Sequence, residues 1–87
     1  MNEILAEKDT RAVEEILARE LEVGREQLTA DARLVDDLGA DSLTLVAITM
    51  ALEDQFNLCI PDERSEAVRT VGDLFEMLAE LLQEQRR

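Results

Sequence analysis

Apolar residues in this chain recur at three- and four-residue intervals, and that spacing leaves little room for anything but helices. Val13, Ile16, Leu17 and Leu21 share one helical face, Leu45, Ile48, Leu52 and Phe56 a second, and Leu74, Met77, Leu78 and Leu81 a third. No stretch alternates apolar and polar residues with β-branched enrichment, so strands are not expected. In 87 residues there are three Gly, one Pro and two aromatics. Nothing repeats internally and no tract is of low complexity. The expected fold is all-α: a small three-to-four-helix bundle with a long loop between the first and second helices.

Local signals place the elements. The first helix is expected over residues 10–21, with Asp9 or Thr10 as its cap and Gly24 available for a left-handed stop. Ile4 would fall on the opposite side of a continued helix, so residues 1–8 read as a flexible extension. Residues 25–41 form a connection long enough to be functional or packed by its own side chains, and Leu28, Leu34, Val35 and Leu38 favour packing. The second helix is expected over residues 42–56, with Asn57 as its stop. Pro61 pushes Ile60 out of the α region, and a short helical turn is expected near residues 63–68. Thr70 with Asp73 resembles a capping box for the last helix. Residues 9–82 thus make one domain, and residues 83–87 a polar tail in which Arg86 and Arg87 would suit a helix C-terminus.

Charge and composition exclude several functions. The chain holds 21 Asp plus Glu against 9 Lys plus Arg, a formal net charge of −12. Such a surface repels phosphate backbones, so no nucleic-acid partner is expected. There is no His, which removes the usual general base and the commonest metal ligand. One Cys cannot form an internal disulfide or a thiolate-rich zinc site, and suits a reducing cytoplasm. No apolar run approaches the roughly 20 residues of a membrane span, and the first residues lack the basic region of a signal peptide. Pairs such as Asp36-Asp37 and Glu53-Asp54 invite a paired-carboxylate reading, but on so acidic a chain they read as solvated surface. Calcium-loop spacing and a Gly-rich phosphate loop are both missing. No metal and no catalytic residue are expected, and the chain is not expected to be an enzyme.

One serine stands out. In Asp36-Asp37-Leu38-Gly39-Ala40-Asp41-Ser42-Leu43, Ser42 lies where the long loop meets a helix N-terminus, with Gly39 allowing a tight backbone before it. A phosphate ester there is favoured by the helix dipole and by free backbone N–H groups. By itself the position also suits an ordinary cap. The surrounding blocks are more specific. Leu38-Gly39-Ala40-Asp41-Ser42-Leu43, then Met50-Ala51-Leu52-Glu53, then Ile60-Pro61-Asp62-Glu63 closely resemble the acyl carrier proteins, without an evident gap from Asp9 to Leu81. The Gly-Ala-Asp-Ser form resembles fatty-acid-type carriers more than peptidyl carriers.

The resemblance implies that Ser42 receives 4′-phosphopantetheine from coenzyme A, through a phosphopantetheinyl transferase and Mg²⁺, and that acyl chains ride on the arm as thioesters. It implies that Asp41 helps the transferase, that Glu53 and Asp54 meet basic patches on acyl-transfer, condensing and reducing enzymes, and that Leu43, Val46 and Met50 make apolar contacts there. It implies an acyl pocket from Val35, Leu38, Leu52, Phe56, Ile60, Val68 and Met77. The carrier is expected to be a monomer. An adaptable, Met-containing aliphatic core and an acidic surface that favours fast, salt-sensitive encounters agree with a shuttle.

The match departs in places. Thr44 and Ala47 stand where many members carry acids, so residues 43–52 hold no charge. The pathway therefore stays open between primary fatty-acid synthesis and a dedicated route to a specialised lipid or polyketide, and an unmodified interaction module is a further alternative. Cys59 lies among acidic and apolar neighbours and reads as an inert thiol. Arg64 and Arg69 fall where the family is often acidic or neutral, with no functional account from sequence.

Overall fold

The computed structural model describes residues 5–85, and these form four α-helices. They are α1 (Glu7–Leu21), α2 (Ser42–Phe56), α3 (Asp62–Glu66) and α4 (Val71–Gln85), with a 3₁₀ turn at Arg25–Gln27. Among the described residues there is no strand, only an isolated antiparallel bridge between Arg33 and Thr70.

The expected faces are the buried ones. Val13, Ile16 and Leu17 of α1 meet Ile48 and Leu52 of α2 and Leu74, Met77, Leu78 and Leu81 of α4 in one aliphatic core, against which Leu21, Leu45 and Phe56 pack half-buried. No polar or charged side chain among the described residues is buried. Apolar burial at about 25 cal/mol per Å² therefore holds this core, without internal hydrogen-bond pairs to fix its register.

Element ends differ in detail from expectation. α1 begins at Glu7, with Ala6 in the cap position and no side-chain cap. Glu7 and Asp9 in the first turn favour the dipole, and Arg11 pairs with Glu7 at 3.1 Å, so the helix gains a turn beyond its expected start. Leu5 packs against the core. Residues 1–4 of the expected extension lie outside the described residues, as do Arg86 and Arg87. α1 ends at Glu22 rather than Gly24. Glu22 takes the left-handed conformation (φ 58°) and its N–H reaches the Ala18 carbonyl, whereas Gly24 is extended. Asn57 ends α2 as expected, also left-handed at φ 53°. α3 starts directly after Pro61, one residue before its expected place, and stops before Val68. α4 runs through most of the expected tail, and the Gln85 amide donates to the Asn57 carbonyl at 2.8 Å.

The long loop is fastened to the start of α4. The backbone N–H groups of Val71 and Gly72, which an isolated helix start would leave without partners, donate to the Ala32 and Ala30 carbonyls at 3.0 and 2.8 Å. The Leu34 N–H donates to the Arg69 carbonyl at 2.9 Å. A Cβ on Gly72 would come within 2.9 Å of the Ala30 carbonyl oxygen, so only glycine permits this approach. Leu34 and Leu38 of the loop enter the core together with Ala32 and Ala40, while Val35 stays 55% exposed. The loop closes on Gly39 (φ +76°), whose N–H reaches the Val35 carbonyl at 3.1 Å, and the Ala40 N–H then returns to Leu34 at 2.9 Å. This turn delivers the chain to the first residue of α2.

Candidate functional site

Ser42 is that first residue, and its side chain is exposed. Asp41 before it is the cap. Its Oδ1 accepts both the Thr44 backbone N–H at 2.8 Å and the Thr44 hydroxyl at 2.9 Å. These two bonds, the backbone one first, hold the Asp41 carboxyl below its ordinary range, so it stays ionised beside Ser42. Thr44, expected only as a missing acid, thus fixes the cap from the helix side. An acid at N3 would normally reach back to the cap's own N–H; here a hydroxyl donates into a carboxylate.

Ser42 stands at the rim of a cavity of about 540 Å³ between α2, α3 and α4, within the size range of small-molecule sites. Its walls are mainly aliphatic. Of the residues assigned to an acyl pocket, Leu52, Ile60, Val68 and Met77 line it. Leu38 is a buried core residue, Phe56 a half-buried one and Val35 an exposed loop residue, and none of the three lines this cavity. Leu34, Leu45, Ile48 and Leu74 do line it and were not assigned to it. Leu45 and Ile48 were legible as a core face, but α3 leaves a gap over that face which periodicity does not report.

The residues assigned to docking fall into two groups. Leu43, Val46 and Met50 are 80%, 54% and 62% exposed, and Asp41 and Asp54 are also exposed. Val46 and Met50 border the cavity as well. Glu53 behaves differently. It is half-buried, lines the cavity, and its Oε2 accepts the Ile60 backbone N–H at 2.8 Å, so it ties the loop before Pro61 to α2. On the far side of α3, Arg64 reaches Glu80 at 3.0 Å and Glu84 at 3.5 Å, which pins α3 to α4. α3 therefore lies over the cavity held by polar contacts at its edges and few apolar ones. No metal-ligating cluster occurs among the described residues.

An exposed serine at a helix start beside an apolar cavity offers a place for a covalently attached group and its cargo. Comparison with known proteins agrees. The family model described as "Phosphopantetheine attachment site" matches residues 11–78. An acyl carrier protein of Syntrophobacter fumaroxidans is 52% identical over 65 residues, covering 75% of this chain and 80% of that protein. One from Clostridium perfringens is 44% identical over 68 residues, covering 78% and 90%. A solved structure titled as a candidate acyl carrier protein of Mycobacterium tuberculosis superposes with a TM-score of 0.77 at 36% identity, covering 83% of this chain and 96% of that one. The chain belongs to the acyl carrier protein family, with phosphopantetheine as its prosthetic group. The site fits such a group: a solvent-facing hydroxyl for attachment and an apolar cavity beside it for a hydrocarbon chain.

Proposed function

We propose that Ser42 is the attachment residue, and that the chain carries acyl groups as thioesters on a 4′-phosphopantetheine arm during fatty-acid biosynthesis in the cytoplasm. The observation that carries this reading is the exposed Ser42 side chain at the rim of the apolar cavity. In the loading step the Ser42 Oγ attacks the phosphorus of coenzyme A that bears the pantetheine. An O–P bond forms, the pyrophosphate P–O bond breaks, 3′-phosphoadenosine 5′-phosphate leaves, and the hydroxyl proton passes to a base of the transferase. The start of α2 favours the resulting phosphodiester through its dipole. Asp41 keeps that start formed and presents an anion to the transferase's Mg²⁺.

Once an acyl chain is attached, Leu52, Ile60, Val68 and Met77, with Leu34, Leu45, Ile48 and Leu74, are the walls that shelter it. Leu43, Val46 and Met50, with Asp41 and Asp54 at their margins, form the face that transferase, acyl-transfer, condensing and reducing enzymes meet through apolar centres and basic rims. Leu38 is part of the core and Phe56 packs against it without lining this cavity, and Val35 lines the adjoining groove. One observation favours a dedicated pathway as a second reading: residues 43–52 carry no charge, so this face depends more on apolar contact than on steering. Incubation with coenzyme A, Mg²⁺ and a broad-specificity phosphopantetheinyl transferase should add one phosphopantetheine mass, and Ser42→Ala should add none. A wild-type chain that gains no mass under conditions that load another carrier is instead an unmodified interaction module.

A further inference from the structure

A second groove, of about 580 Å³, adjoins the cavity at Ser42 and differs from it in charge. Leu34, Leu45 and Val68 line both, so the two are continuous across these side chains. The second groove alone is lined by arginines, Arg33 and Arg69, which stand next to each other because the Arg33–Thr70 bridge and the Leu34-to-Arg69 hydrogen bond pair their backbones. Arg33 is already held by Asp36 at 3.5 Å and Asp37 at 3.6 Å. Arg69 is not. Every other described arginine has a carboxylate within 4.0 Å, yet Arg69 has none among the described residues, on a chain of net charge −12. Its backbone is fixed at both ends, the N–H donating to Asp73 at 3.1 Å and the carbonyl accepting from Leu34, so the side chain projects from a set position. Asp36 and Glu66 also line the groove, and they keep its other walls unattractive to anions. The Arg69 charge is felt by the nearby Asp73 carboxylate, but no carboxylate among the described residues comes within ion-pair distance of the guanidinium, so beside a groove continuous with the apolar cavity it keeps the chemistry to receive an anion.

We propose that Arg69, supported by Arg33, seats the terminal carboxylate of an acyl group carried on Ser42, so that short acyl groups ending in a carboxylate lie in the second groove and hydrocarbon-ended ones in the first. The inference rests on the carrier reading. A phosphodiester is the less suited anion, because it is bound to Ser42, which lines the first cavity and not the second. The test loads ¹⁵N-labelled protein from coenzyme A, pentanoyl-coenzyme A or glutaryl-coenzyme A. These give a bare arm and two acyl arms of equal carbon number that differ in the terminal carboxylate.

In the glutaryl form the Arg69 Nε–Hε resonance should shift relative to both other forms. The carboxylate of ¹³C-labelled glutaryl should titrate at lower pH in the wild type than in Arg69→Gln, and Arg69→Lys should retain most of the difference. Arg69→Gln keeps both backbone hydrogen bonds, and its helical spectrum checks the fold. Equal Arg69 resonances in pentanoyl and glutaryl forms, or equal carboxylate titrations in wild type and Arg69→Gln, would overturn the seat. A shift already complete with the bare arm would assign Arg69 to the phosphodiester and overturn it likewise. A chain that takes no mass at all overturns the carrier reading itself, and the seat with it.

Discussion

Asp41 and Asp73 do the same work at the starts of two helices. Asp41 accepts two bonds from Thr44, and Asp73 accepts the Arg69 and Thr70 backbone N–H groups at 3.1 and 3.2 Å while the Thr70 hydroxyl accepts from Asp73. Both carboxyls titrate below the ordinary 3.8, Asp41 chiefly through the Thr44 N–H and Asp73 chiefly through the Arg69 N–H. A carboxyl whose folded pKa is depressed stabilises the fold above the unfolded value, and that contribution disappears as pH falls through the folded value. Thermal stability should therefore fall as pH drops below about 3.8, and Asp73→Asn should flatten that part of the profile. An unchanged acid slope in a melting series from pH 6 to about 2.5 would contradict it. Glu22 offers a test of the opposite sign. A left-handed non-glycine residue carries a penalty of about 1 kcal/mol, so Glu22→Gly should raise unfolding stability by up to that amount in a denaturant titration. Gly72→Ala should lower it by about 1–3 kcal/mol, through contact with the Ala30 carbonyl.

At the scale of elements, α2 carries the proposed attachment residue and α3 lies over the cavity beside it. α2 is apolar around most of its circumference, burying Ile48 and Leu52 while exposing Leu43, Val46 and Met50. Restoring charge on the exposed side tests how partners read it. Thr44→Asp removes the hydroxyl bond to Asp41 and sets two carboxylates together, so Ala47→Glu is the cleaner change. Ala47→Glu should tighten binding to a generic fatty-acid synthase enzyme with a basic docking patch, in a titration at low salt, and the gain should shrink as salt rises. No gain would contradict a steering role for that face. The three long helices, the Thr70 cap and the Asn57 stop were legible because periodicity and capping chemistry are local. The start of α1 and the roles of Thr44, Glu53 and Gly72 were not, since each depends on a partner fixed by the folded backbone. Gly72 as a glycine in the first turn of a helix was the one available signal for the last of these. Val35, which the resemblance implied as a pocket residue, lies 55% exposed on the turn before Gly39 and lines the second groove rather than the cavity at Ser42.

As a whole molecule, the protein is a thin aliphatic core beneath a surface of net charge −12. Self-repulsion at that charge opposes the compact state, so the melting temperature should rise with added salt or millimolar divalent cations, and a flat series would contradict this. The charge also explains why Arg69, with no ion pair among the described residues, is informative beside the second groove. No helix among the described residues is long and apolar enough to cross a membrane. The chain has two serines, Ser42 and Ser65, and both line the same cavity. Loading from coenzyme A followed by peptide mapping of the modified chain therefore tests the central claim most directly. The account predicts one phosphopantetheine, on the peptide containing Ser42, retained in Ser65→Ala and lost in Ser42→Ala. A chain left unmodified, or modified at Ser65, would contradict it.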